Sequence, residues 1–90
     1  MKNPATPADI FLVIEVSNTS LSYDLETKRD IYARAAIKEY WVLDLLGREL
    51  HVFTKPKRGV YTEQRLFAEG DKVQCTTVPS IKLKVKELLP

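Results

Sequence analysis

The residues most often met in redox, metal and phosphate chemistry are scarce here: one cysteine, one histidine and three glycines. A lone cysteine, Cys75, excludes an internal disulfide and suits a reducing, cytoplasmic compartment. It reads as a small buried or half-buried side chain. A histidine triad, relay or zinc cluster would have to rest on His51 alone, which alternates with apolar residues in Leu50-His51-Val52-Phe53 like a strand-surface side chain. Gly47, Gly59 and Gly70 each suit a turn, so there is no glycine-rich phosphate loop. Ser17, Ser20 and Ser22 have no base beside them and form no nucleophile motif. No apolar run approaches the ~18 residues of a membrane-spanning helix, so a membrane role is not expected.

What is present describes a globular domain. The 90 residues are 44% hydrophobic and 29% charged, which places the chain among folded proteins and predicts one domain over residues 1–90. A net charge of +2 is too small to mark a nucleic-acid binder, so local clusters must carry any such reading. Residues 1–8, with two prolines and no apolar core, read as an irregular lead-in rather than a signal peptide. An apolar strand follows almost at once with no element before it to cover it. That predicts a fold truncated at its N-terminus, or one that borrows cover from a partner.

The pattern along the chain is α/β. Ile10 to Ser17 reads as a strand buried on both faces, interrupted by Glu15. Ser20, Ser22 or Asp24 can each cap a helix over about Tyr23 to Ala36, with Leu25, Ile31, Tyr32, Ala35 and Ala36 as its buried stripe. Tyr40 to Leu45 is a second strand, and the βαβ unit so formed predicts parallel strands with a right-handed crossover helix. Antiparallel strands follow at about Glu49 to Thr54 and Val60 to Phe67, joined by the loop Lys55-Pro56-Lys57-Arg58-Gly59. A short strand reaches Cys75, and Ile81 to Val85 alternates like an edge strand or tail.

Two charges stand where the pattern calls for apolar residues. Glu15 in a core strand would cost several kcal/mol unless compensated. Lys28 falls inside the apolar stripe of the helix that returns over that strand, so the two can meet. A carboxylate suits Mg²⁺ or Mn²⁺, and a lysine can orient a water or stabilise charge on a phosphate. A self-satisfied ion pair is the other reading of the same residues.

Asp9-Ile10-Phe11-Leu12-Val13-Ile14-Glu15-Val16-Ser17, then Ser20-Leu21-Ser22-Tyr23-Asp24, Lys28, Tyr32-Ala33-Arg34-Ala35 and Ile37 to Asp44 together resemble the putative restriction endonuclease family of the PD-(D/E)XK nuclease superfamily. The likeness is close over about residues 7 to 54, and Val78 to Pro90 is similar to the family's C-terminal segment. It implies a restriction-endonuclease-like mixed sheet, represented by its C-terminal half, and Mg²⁺-dependent (or Mn²⁺-dependent) cleavage of DNA. Glu15 matches a metal-binding acid, and the backbone carbonyl of Val16 would be a further ligand. Ser17 stands where the superfamily usually has its lysine, and Lys28 matches the position on the next helix to which this family's lysine has moved.

The superfamily's first acid, on a preceding strand, has no counterpart upstream of Pro7. Asp9 shares parity with Glu15, but six strand residues put them ~20 Å apart, too far to share one metal. Asp44, at a strand end before a turn, reads as structural. Lys55, Lys57 and Arg58 form a basic loop that could touch phosphates. Three functions therefore remain open: a Mg²⁺-dependent DNA endonuclease, a catalytically inactive dimeric module that binds nucleic acid or protein, and a small interaction domain with a fortuitous Glu–Lys pair. An unpaired strand edge, where the absent strand would dock, predicts a homodimer or larger assembly.

Overall fold

The computed structural model describes residues 10–90. Strand β1 (Val13–Ser17) leads into a helical segment made of a short α-turn, α1 (Leu21–Tyr23), a π-helical turn (Asp24–Lys28) and α2 (Arg29–Arg34). Strands β2 (Glu39–Asp44), β3 (Glu49–Lys57) and β4 (Val60–Ala68) come next, then β5 (Lys72–Gln74), β6 (Lys82–Lys84) and a closing 3₁₀ turn (Val85–Glu87). The main sheet has the order β1-β2-β3-β4. β1 runs parallel to β2 and the other neighbours are antiparallel, so the sheet is mixed. β5 and β6 form a separate antiparallel pair.

Each face of the sheet has its own cover. On one side Trp41, Leu43, Leu50 and Val52 pack with Val73 of β5, Cys75 just beyond it and Val85 of the closing turn. On the other, Tyr40, Val42, Phe53 and Tyr61 pack with Ala33, Leu21, Leu25 and Tyr32 of the helical segment. Alternation along β1 and β2 puts Val13, Glu15 and Ser17 on the helical side with Tyr40, Val42 and Asp44.

The strand buried on both faces is β2, whose six residues are all buried. The expectation that β1 would be such a strand is overturned. Among the described residues β1 is an edge strand paired with β2 alone. Ile14 is 42% and Val16 60% exposed, and Ile10 and Phe11 lie exposed before the strand begins. Apolar content shows that a strand has two faces fit for burial but not whether a neighbour covers them.

The helical stripe also differs from expectation. Ala33 is buried, whereas Ile31 and Ala36 are exposed. The π turn is the reason: its i→i+5 spacing spreads one turn over more residues than 3.6, so every later position lags on the helix wheel. Two tyrosines of the sheet hold the segment down. Tyr40 donates its hydroxyl to the Asp24 carbonyl at 2.9 Å, and Tyr61 donates to the Ile37 carbonyl at 2.7 Å.

The expected Lys55–Gly59 loop is mostly strand. β3 runs to Lys57, leaving a two-residue turn, Arg58-Gly59, with φ of 54° and 77°. Two successive positive φ values match the I′ hairpin turn, whose twist suits long antiparallel strands.

Candidate active site

Glu15, Lys28 and their neighbours meet where the helical segment crosses β1. Lys28 Nζ donates to Glu15 Oε2 at 3.1 Å and lies 3.5 Å from Asp24 Oδ1. Tyr32 donates its hydroxyl to the other Glu15 oxygen, Oε1, at 2.8 Å. Ser20 Oγ donates to Asp24 Oδ2 at 2.9 Å, so each carboxylate has both oxygens engaged. The π turn begins at Asp24 and ends at Lys28, putting acid and base of one turn on the same side, facing β1.

Glu15 and Lys28 come together, but not in the interior. Their side chains are 25% and 31% exposed, so the expectation of two charges sunk in a hydrophobic core is corrected to a pair at its rim. An edge strand leaves one flank of Glu15 open, and the desolvation cost of a core charge is largely avoided. Asp24 is the buried member, with its side chain 3% exposed. It has a cation and a hydroxyl for partners, as a buried carboxylate requires.

Protonation is set by these contacts. The hydrogen bond to Glu15 holds the Lys28 ammonium above the ordinary lysine value of 10.5, with the charges of Glu15 and Asp24 adding to it against a smaller effect of burial. Burial, then the bond to Glu15, raises the Tyr32 hydroxyl above 10.0. Tyr40 is pushed further up by burial, helped by the negative charges of Asp24 and Glu15. The cluster is thus a protonated lysine and neutral tyrosines around two carboxylates.

The Val16 carbonyl points away from β2. Ser17 accepts from the Leu45 N–H at 2.9 Å, so its carbonyl points toward β2. Successive carbonyls alternate along a strand, so that of Val16 points to the open edge. Lys55 is engaged by Glu63 at 3.2 Å, while Lys57 and Arg58 stand exposed at the hairpin tip. Asp9 lies outside the described residues.

Several participants were not singled out from the sequence. Asp24 was read as a cap and Tyr32 as core, although both stand four residues from Lys28, the spacing of helical neighbours. His51 is not a surface side chain: both ring nitrogens are buried and without partners. Asp44, read as structural, does accept the turn N–H of Gly47 at 3.0 Å, but it also groups with Glu49 and His51. Cys75 is fully buried, and that burial raises its thiol pKa. No helix of the described residues is long and apolar enough to cross a membrane.

Residues 2–86 match the family described as Uma2, putative restriction endonuclease. No curated protein matches the chain.

Proposed function

With the chain belonging to the Uma2 family, within the PD-(D/E)XK nuclease superfamily, we propose that it hydrolyses phosphodiester bonds of DNA with a divalent metal, Mg²⁺ or Mn²⁺, at Glu15 and Lys28. The observation that carries this reading is the Lys28 ammonium held between the Glu15 and Asp24 carboxylates at a half-open rim.

The donor set fits a hard cation. Glu15 offers carboxylate oxygen, each of its atoms keeping a free lone pair beside its one hydrogen bond, and the Val16 carbonyl faces the same open edge. Mg²⁺ commonly takes one or two carboxylates and fills its remaining positions with water and substrate phosphate, and this donor set is compatible with that habit. An ion held there by Glu15 and the Val16 carbonyl would supply Lewis-acid polarisation of the phosphate and a more acidic water.

The chain's own residues supply the rest. Tyr32 fixes the rotamer of Glu15 through Oε1. Lys28 keeps its proton and therefore acts as a fixed cation, not as a general base. From the rim it can donate to a non-bridging phosphate oxygen and orient a water for in-line attack, in which the new O–P bond forms as the bond to the leaving sugar oxygen breaks. Asp24 holds the ammonium from the other side. Lys57 and Arg58, with Lys55 less available, would contact backbone phosphates, and such binding weakens with added salt.

A second reading has an observation in its favour. Both oxygens of Glu15 already have partners within the chain, as in an inactive nucleic-acid- or protein-binding module whose ion pair satisfies itself. Plasmid nicking in Mg²⁺ and Mn²⁺ separates the two. Glu15→Gln and Lys28→Met should each lose at least roughly 10²-fold in rate with the circular dichroism of the parent. Nicking retained by either folded variant refutes the assignment. The exposed apolar face of β1, where Ile14 and Val16 point away from Glu15, supports a homodimer through that face in both readings and leaves the Val16 carbonyl free, and the lone buried thiol suits the cytoplasm.

A further inference from the structure

Farther along the same sheet face, where β2 turns into β3, a second group of ligating side chains comes together. Asp44, Glu49 and His51 each bring one ligand atom within 4.8 Å of the others. Their placement is a consequence of register. Asp44 pairs with Glu49, and His51 lies two residues along β3, so all three point to the helical side. Asp44 is 6% exposed and the other two are half-buried.

Two further observations mark the place as built for a ligand. Both His51 ring nitrogens are buried with no hydrogen-bond partner. Ser17, paired with Asp44 on the same face, is fully buried, and its hydroxyl is also unpartnered. Buried polar atoms normally find partners, and three orphans beside two carboxylates point to something between them. The Gly47 backbone closes over the carboxylates. A Cβ there would collide with Asp44 Oδ2 and lie 3.1 Å from Glu49 Oε1.

We propose that Asp44, Glu49 and His51 form a site for a borderline divalent transition metal such as Zn²⁺, distinct from the one at Glu15. Imidazole nitrogen beside two carboxylates suits Zn²⁺ better than Mg²⁺, which prefers an all-oxygen shell. Bonds of about 2.0–2.2 Å put tetrahedral ligands roughly 3.4 Å apart, so atoms now within 4.8 Å of one another close in by at most about 1.4 Å on binding. The Ser17 hydroxyl is placed to serve as a neutral fourth donor or to orient a ligand carboxylate.

The site is not half of a two-metal nuclease centre. Ser17 lies two residues, about 7 Å, along β1 from Glu15, and the three ligands are one and two strands further over. Paired catalytic metals sit only ~3.5–4 Å apart. The ion therefore ties the ends of β1, β2 and β3 together, as a structural metal does.

The test uses the full chain. Calorimetric titration with Zn²⁺ should show one saturable site per chain that excess Mg²⁺ does not displace. Co²⁺ in the same site should give visible d–d absorption. His51 is the only histidine, so its imidazole signals report metal ligation without ambiguity. His51→Gln and Glu49→Gln should each weaken binding by more than the roughly 10–100-fold that loss of an outer-shell partner costs. Glu15→Gln should bind as the parent does, whether or not the chain nicks DNA. The absence of saturable Zn²⁺ binding overturns the proposal. So does binding that survives His51→Gln, or that is lost in folded Glu15→Gln.

Discussion

Lys28 illustrates how a residue's neighbours set its chemistry. With a carboxylate on either side it holds its proton more tightly in the folded than in the unfolded chain, and Tyr32 does the same. Groups whose folded values are raised contribute stability that is whole below the unfolded values, here 10.5 and 10.0, and is lost as the pH rises through the folded ones. Urea midpoints should therefore fall above about pH 10, and less steeply in Glu15→Gln, where the partner charge is gone. An alkaline limb identical in parent and variant would show that Glu15 does not set these values. Glu39 is a different kind of carboxylate. It is fully buried and accepts from Trp41 Nε1 at 2.7 Å and from the Thr77 N–H and hydroxyl at 2.9 and 3.1 Å. Glu39→Ala strands those donors and should cost about 2–4 kcal/mol in urea unfolding; a loss under about 1 kcal/mol would mean that solvent reaches them.

At the scale of elements, two local devices position the site. The π turn brings Asp24 and Lys28 to one side and rotates Ala33, rather than Ile31, into the core. The helical segment then ends with Ala36 at φ 58°, the Ala36 N–H reaching the Ala33 carbonyl and the Ile37 N–H the Tyr32 carbonyl, both at 3.0 Å. That is the Schellman pattern with alanine where glycine is usual. Left-handed backbone costs an L-residue about 1–2 kcal/mol, partly offset because glycine loses more entropy on folding. Ala36→Gly should accordingly raise stability by up to about 1 kcal/mol. A destabilised variant in thermal and urea denaturation would mean that the alanine side chain makes a contact worth more than the strain.

For the whole molecule, the consequential feature is an uneven cover. Among the described residues β2 is enclosed on both faces and both edges, whereas β1 has one strand neighbour and carries an exposed apolar face, Ile14 and Val16. Exposed apolar faces of this kind invite association with another copy. Sedimentation of the parent should show a concentration-dependent dimer, and Val16→Lys, placing a charge on that face, should shift it to monomer. A parent that remains monomeric at all concentrations removes the dimer proposal.

The apolar run of Ile10 to Val16, the helical spacing of Leu25 and Tyr32 and the strand patterns after Tyr40 were enough to read an α/β mixed sheet, because apolar patterning reflects which faces can be buried. The misplaced charges at 15 and 28 were enough to pair those residues. Sequence could not show that one face of β1 lies exposed, since exposure depends on which neighbours are present. Nor could it reveal the π turn, which changes phase through hydrogen bonding rather than composition. It also could not bring Asp44, Glu49 and His51 together with Ser17. Strand register alone sets that assembly, and register is decided when the sheet pairs, at contacts between residues far apart in the chain.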